Sequence, residues 1–239
     1  MQEFKIKKSS ISNAKKIKQL NLFITGVGNV GRNLLEQICK QKEYLENKLN
    51  LQLNVIGISN SKKMKLNLNG IKLSDWVAEL MKGENANSLE FMSRSKEMNL
   101  RNSIFIDNSD SAEIANNYEY YLKNGIDVVT CNKIACSDTY SNYQNLKNLA
   151  HLHNTSFLFE TNVGAGLPII DTLNNLVASG DKIISIQAVL SGSLNYIFNN
   201  FQKENSFHKI VQNAMNEGFT EPDPKIELSG IDVARKILN

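Results

Sequence analysis

At 239 residues, 41% of them hydrophobic, the chain is long enough for one large or two small domains around a packed core. No apolar run approaches the roughly 18–20 residues of a membrane helix, and no charged-then-apolar segment opens the chain, so a membrane partner is not expected and a soluble, cytoplasmic protein without an export signal is. The formal net charge of +3 is local, because residues 1–20 hold six lysines against the single Glu3; without interleaved aromatics or a continuing basic face, this segment reads as a basic lead-in or linker rather than a nucleic-acid arm.

Cys39, Cys131 and Cys136 are odd in number and lack metal-ligand spacing, and His151, His153 and His208 stand far from them in sequence. Reduced thiols are expected, with neither a disulfide framework nor a zinc site.

The first predicted strand is NLFIT (21–25), which runs into Gly26-Val27-Gly28-Asn29-Val30-Gly31 and then the helical pattern RNLLEQICKQ. This order fits a dinucleotide-binding unit. The first glycine permits the tight turn, the second lets a pyrophosphate approach the backbone, the third lets helix pack on strand, and the helix N-terminus faces the phosphates. A lone GxGxxG is a weak signal, but LNVIGIS (53–59) supplies the next strand and completes a βαβ unit. Where an NAD site places an acid for the ribose hydroxyls, this chain has Ser59-Asn60-Ser61-Lys62-Lys63. Neutral donors followed by lysine suit a 2′-phosphate, so NADP(H) is expected with NAD(H) as second choice; the plainer reading of Lys62 and Lys63 is ordinary loop charge.

Further strands are predicted at SIFIDNS (103–109) and DVVTCN (127–132), with the helical stretch SAEIANNYEYYLKNG between them. The alternation predicts an α/β fold with a Rossmann-type, mostly parallel sheet. Asn108 and Ser109 end one strand where they can contact the nicotinamide side of the cofactor. Lys133 ends the other, at the carboxyl edge where open α/β sheets bind ligands, and either acts there or merely caps the sheet.

The pattern then changes character. SFLFETNVGAGLPIID (156–171) reads as a strand ending in Glu160, a Gly-rich loop, and a helix opening at Pro168. Glu160 with the carbonyls of Val163, Ala165 and Leu167 can enclose a hard monovalent cation; equally, a plain helix-entry loop would satisfy Glu160 with local N–H groups. IISIQAVLSGSLNYIFNNF (183–201) reads as a strand buried on both faces, a Gly-Ser turn and an apolar helix. Finally, EPDPKIELSGIDVARK (221–236) has prolines at 222 and 224, a hinge at Gly230, and a helix in which Asp232 and Lys236 stand one turn apart on one face. A carboxylate there can orient the ammonium and tune its proton affinity, as a proton-donating lysine requires; the bland alternative is a solvated ion pair.

Taken in order, Gly26–Gly31, SNSKK, TCNK, ETNVGAGLPII, LSGSLNYIF and EGFTEPDPKIELSGIDVARK resemble homoserine dehydrogenase, with the spacing and SNSK segment of the dehydrogenase half of the bifunctional aspartokinase/homoserine dehydrogenases. The resemblance spans residues 21–239, and its ETNVGAGLP and TEPDP…GIDVARK blocks are highly specific. It implies an NADP-preferring oxidoreductase that interconverts L-homoserine and L-aspartate 4-semialdehyde on the route to threonine and methionine. It further implies an NADP-binding domain at 21–155 and a partial α+β substrate and dimerisation domain at 156–239, after the lead-in at 1–20. Residue by residue, Lys236 matches the proton donor, Asp232 the carboxylate beside it, and Lys133 a second lysine near the nicotinamide. Glu221 matches the acid that binds the substrate's amino group, and Glu227 stands where the family usually has Asp. Glu160, Val163, Ala165 and Leu167 match a structural sodium site. A homodimer or higher oligomer, fused to or associated with aspartokinase, is implied as well.

The chain stops three residues after Lys236, where family members continue, so a fragment of a longer product or a degraded relative is expected. The alternative function is a catalytically impaired NADP-binding fragment that associates with other subunits. A semialdehyde enzyme using a cysteine thiohemiacetal would rest on Cys131 or Cys136, but that chemistry needs a nearby base and a lowered thiol pKa, and no histidine lies within motif distance.

Overall fold

The computed structural model describes residues 17–202, 206–220 and 224–238, apart from the side chains of residues 226 and 227. In chain order the elements are β1 (Lys18–Thr25), α1 (Asn29–Leu49), β2 (Leu51–Ser59), β3 (Lys63–Leu66), α2 (Trp76–Met81), β4 (Glu84–Asn85), α3 (Ser88–Glu97), β5 (Ser103–Asp107), α4 (Ala112–Ala115), α5 (Tyr118–Lys123), β6 (Asp127–Thr130), α6 (Ile134–Ser137), α7 (Tyr140–Leu152), β7 (Phe157–Leu158), α8 (Ile170–Ala178), α9 (Gly192–Asn200), α10 (Phe207–Asn216), α11 (Lys225–Leu228) and α12 (Ile231–Leu238). Among the described residues the strands form one seven-stranded sheet in the order β4-β3-β2-β1-β5-β6-β7. The strands from β2 to β7 in that order are parallel, and β3 and β4 extend the β2 edge with antiparallel pairing. This is the mostly parallel α/β sheet that the strand and helix alternation predicts.

Alternation along each strand sends side chains to opposite faces, and both faces are covered. Leu22 and Ile24 of β1 pack with Leu35 and Ile38 of α1, whereas Phe23 joins Phe91, Phe105 and Tyr121 on the other side. An irregularity opposite Leu22 and Phe23 leaves Ile56 as an extra residue in β2. It explains why Val55 and Ile58, three apart, share the α1 face while Ile56 packs on the opposite one.

Several elements differ from their sequence expectations. β1 begins at Lys18, inside the basic lead-in, and β7 pairs with β6, so the sheet continues past residue 155. The stretch SAEIANNYEYYLKNG is two short helices, α4 and α5, because its apolar residues serve a buried cluster around Tyr118 and Leu122 rather than one continuous stripe. The expected strand at 183–190 is corrected: the segment pairs with no described strand, and Ile184 is 96% exposed where the aliphatic run predicts burial on both faces. Branched aliphatics favour extended backbone, but a strand also needs a neighbouring edge, and no described strand offers one to this segment. Among the described residues no helix is long and apolar enough to cross a membrane.

Candidate active site

The strand order reverses at β1, which has β2 on one side and β5 on the other. In an open parallel sheet this switch point opens a crevice at the carboxyl ends of the strands, and the glycine loop follows β1 into it. Gly26 has φ +85°, and a Cβ there would stand 2.6 Å from the carbonyl carbon of Asn108 and 2.7 Å from the Ser109 nitrogen. At Gly31 a Cβ would stand 2.3 Å from the Gly26 carbonyl oxygen. These two glycines are therefore demanded by the close approach of the β1 and β5 loops and of α1. Gly28 is different, since a Cβ there would meet no protein atom within 4 Å.

The loop is anchored by hydrogen bonds from Gly26 N to Ser59 O (2.9 Å) and from Asn108 N to Thr25 O (2.9 Å). α1 starts at Asn29 with no side-chain cap and no acid in its first turn, and Asn29 and Val30 are exposed. Its leading N–H groups thus face outward without a side-chain acceptor, as a phosphate site requires. Asn108 adds a second sign, for its Nδ2 is buried without a hydrogen-bond partner, close to Gly31. An orphan donor beside a bare helix N-terminus fits the acceptor-rich diphosphate of a dinucleotide. A cavity of ≈ 600 Å³ continues from the loop, lined by Gly26, Ser59, Asn60, Ser61, Ser109 and Ser111 among others.

Of the residues expected at the 2′-phosphate, Asn60 has a structural duty too: its Oδ1 accepts from Lys62 N (2.8 Å) and Lys63 N (2.7 Å). The turn so formed leaves Ser61 and Lys62 exposed, while Lys63 Nζ is drawn to Gly83 O and Asn85 Oδ1. Lys62, not Lys63, is the cation presented at this rim.

The second group of candidates meets where α12 crosses the start of α6. Lys236 Nζ stands 2.7 Å from Asp232 Oδ2, and Lys133 Nζ stands 3.4 Å from Asp232 Oδ1. Burial pushes the Asp232 carboxyl upward, but the hydrogen bond from Lys236 and the charges of Lys133 and Lys236 outweigh it and hold it below its ordinary value of 3.8. Lys236 Nζ also donates to Leu190 O at 2.8 Å. The i,i+4 pair is thus no free-standing surface pair, because it closes onto a lysine more than ninety residues earlier in the chain. Glu221 lies outside the described residues, as does the Glu227 side chain.

Glu160 serves α8. Its Oε1 accepts from Ile170 N (2.9 Å) and its Oε2 from Asp171 N (2.8 Å), which is the helix-entry role. The loop between is tightly wound, with φ +75° at Gly164 and +52° at Ala165. Each carboxylate oxygen keeps a further acceptor site, so capping and cation binding are compatible there. Leu167 O already accepts from Ile169 N. Among the described residues no group of three or more His, Cys, Asp or Glu could hold a metal ion. The thiols are unsuited to nucleophilic work: burial raises Cys131, and raises Cys136 to about 12.

Sequence reasoning missed a buried carboxylate behind the crevice wall. Asp107 is fully buried at the end of β5, and its carboxylate accepts from Ser109, Tyr118 and Asn132. The available signal was a carboxylate closing the apolar run SIFI, directly before Asn108 and Ser109.

Comparison with known proteins agrees with this geometry. Residues 26–160 match the family model for the NAD binding domain of homoserine dehydrogenase, and residues 168–238 match the homoserine dehydrogenase model. The bifunctional aspartokinase/homoserine dehydrogenase of Haemophilus influenzae is 40% identical over 230 residues, covering 96% of this chain and 28% of that protein. A chloroplastic bifunctional relative from Arabidopsis thaliana is 43% identical over 222 residues, covering 92% of this chain and 24% of its own length. The chain therefore spans about a quarter of these relatives. Homoserine dehydrogenase of Schizosaccharomyces pombe is 36% identical over 225 residues, covering 91% and 60%. Among solved structures, a hyperthermophilic archaeal homoserine dehydrogenase in complex with NADPH matches with a TM-score of 0.78 and 27% identity, over 92% of this chain and 68% of that one. With both family models matched in order along it, this chain belongs to the homoserine dehydrogenase family.

Proposed function

We propose that the chain carries the nicotinamide-dependent interconversion of L-homoserine and L-aspartate 4-semialdehyde, with residues 21–155 holding the cofactor and 156–239 contributing part of the substrate site. The observation that carries this reading is the Lys133–Asp232–Lys236 cluster, which joins the carboxyl edge of the sheet to α12. NADP(H), when bound, supplies or takes the hydride. The protein's own share is charge and proton control. An ammonium has three donor protons, and Lys236 directs two of them to Asp232 and Leu190 O, which leaves one for a substrate oxygen. As the aldehyde is reduced, that proton passes to the developing alkoxide and the alcohol forms; in the other direction Lys236 accepts it. Asp232 fixes the direction of Lys236, and Lys133 places a second positive charge beside the forming oxyanion. Glu221 and Glu227 are assigned to the substrate's ammonium.

The absence of an acid at the end of β2, together with exposed Lys62, supports NADP(H) over NAD(H), and the archaeal relative was solved with NADPH. Asn60, Ser61 and Lys62 are assigned to the 2′-phosphate. A structural sodium ion is proposed at Glu160 with the carbonyls of Val163, Ala165 and Leu167, where it would lock the wound loop ahead of α8. The bifunctional relatives support association with aspartokinase, and a homodimer or higher oligomer in the cytoplasm is part of the same proposal.

A second reading has its own support. α8 and α12 bury no residue, and Ile184, Ile186 and Val189 are exposed, so the chain also suits an NADP-binding partner of other subunits without turnover of its own. Mixing the purified chain with NADPH and aspartate 4-semialdehyde and following nicotinamide absorbance separates the two. Oxidation of NADPH that disappears in Lys236→Ala supports the enzyme; NADPH binding without turnover supports the partner.

A further inference from the structure

The Asp107 carboxylate is the meeting point of two loops, and each of its oxygens has two donors. Oδ1 accepts from Ser109 N (2.7 Å) and Ser109 Oγ (2.6 Å); Oδ2 accepts from Tyr118 OH (2.6 Å) and Asn132 Nδ2 (3.1 Å). None of these donors is a cation, so the charge is held by neutral groups alone. Asn132 also donates from Nδ2 to Ser111 O (3.0 Å), accepts at Oδ1 from Ile134 N (3.0 Å), and receives at its carbonyl the Asn162 amide (3.5 Å). Tyr118 OH lies 2.7 Å from Thr130 Oγ1, which in turn accepts from Asn132 N (2.8 Å). The backbone repeats the link, as Cys131 N donates to Asp107 O at 3.0 Å.

One side of this knot is the loop after β5, whose Ser109 and Ser111 line the cavity beside Gly26. The other is the loop after β6, which sets the start of α6 and carries Lys133 toward Asp232. From this geometry we infer that Asp107 is a positioning residue, whose carboxylate locks the cofactor-side loop at 108–111 to the lysine-bearing loop at 131–134 so that the two move as one unit. Its functional meaning rests on the reading given under Proposed function; the coupling itself does not.

The chemistry explains why a carboxylate stands there. It offers about four acceptor sites on two oxygens, and four donors fill them. An asparagine of the same shape keeps acceptors on one side only and turns an NH₂ toward donors on the other. Asp107→Asn must therefore release either Ser109 or the Tyr118–Asn132 pair while removing a buried, unpaired charge. Loop coupling and global stability can then be separated.

The test is amide hydrogen exchange on the chain and on Asp107→Asn, with NADPH titration of both at a temperature where each is fully folded. The expected result is faster exchange in 108–111 and 131–134 together, unchanged exchange in β1 and α1, and a thermal midpoint within about 3 °C of the parent. NADPH affinity is expected to fall about tenfold. Exchange that rises in only one loop, or an affinity unchanged within twofold, overturns the inference. If Asp107→Asn folds poorly, Tyr118→Phe takes its place, since it leaves the carboxylate three donors and the Asn132 bonds intact and must still loosen 108–111; an unchanged 108–111 overturns the inference there. A parent chain that does not bind NADPH refutes the functional reading, while the exchange comparison still decides the coupling.

Discussion

Two buried or half-buried aspartates titrate in opposite directions, and the sign of each predicts a different response to acid. The Asp232 carboxyl is held below 3.8 by its two lysines, so it stabilises the fold above the ordinary carboxylate range and loses that contribution as pH falls through its depressed value. Asp107 is pushed upward, first by burial and against its hydrogen bonds from Ser109, Tyr118 and Asn132. Its contribution is full below its ordinary value and is lost as pH rises through the raised one. Thermal melts from neutrality into the acid range should therefore show Asp232→Asn losing part of the acid-induced destabilisation, and Asp107→Asn gaining on the parent as pH rises. A common response of both variants would contradict these assignments. At the cofactor rim, Asn60→Asp preserves the two backbone hydrogen bonds to residues 62 and 63 while adding a negative charge. The fold should survive with selectivity moved from NADPH toward NADH, as the ratio of dissociation constants would show.

At the scale of elements, the glycine loop offers a paired comparison. Gly31→Ala forces a Cβ to 2.3 Å from the Gly26 carbonyl, so α1 must shift against β1 at a cost of about 2–3 kcal/mol, visible in denaturant midpoints. Gly28→Ala meets no protein atom, but its ψ of −145° lies outside the regions a side chain favours, so it should cost about 1 kcal/mol, less than Gly31→Ala. It should nevertheless weaken NADPH binding if the pyrophosphate passes that backbone. Glu160→Ala removes the acceptor for two leading N–H groups of α8 and should cost about 1 kcal/mol in the absence of sodium. A midpoint that depends on sodium only in the parent would support the cation site. The expected strand at 183–190 fails at this same scale, because aliphatic patterning reports local preference while pairing depends on a neighbour.

For the whole molecule, the described chain has two unequal parts. The sheet and its helices bury large clusters on both faces, whereas the residues after α8 share a small core of Ile197, Ile210, Val211 and Ala214. The unpaired run with exposed Ile184, Ile186 and Val189 offers another chain an apolar surface. On the proposed homodimer, Ile184→Lys combined with Ile186→Lys should lower the association state in sedimentation while leaving the sheet's melt unchanged; an equal association state would contradict association through this segment.

Much was legible from residue order alone, and each legible feature is local. The glycine turn, the missing acid after β2, the helix one turn of which holds Asp232 and Lys236, and the alternation that makes a parallel sheet all follow from spacing and backbone preference within a few residues. What only the tertiary structure decided involves groups far apart in sequence. Lys133 reaches Asp232 because β6 delivers it to α12, Lys236 finds the Leu190 carbonyl, and Asp107 gathers donors from α5 and from the loop after β6. Side-chain partnership across such distances depends on which strand lies beside which, and that order is set by burial of the whole sheet rather than by any one segment.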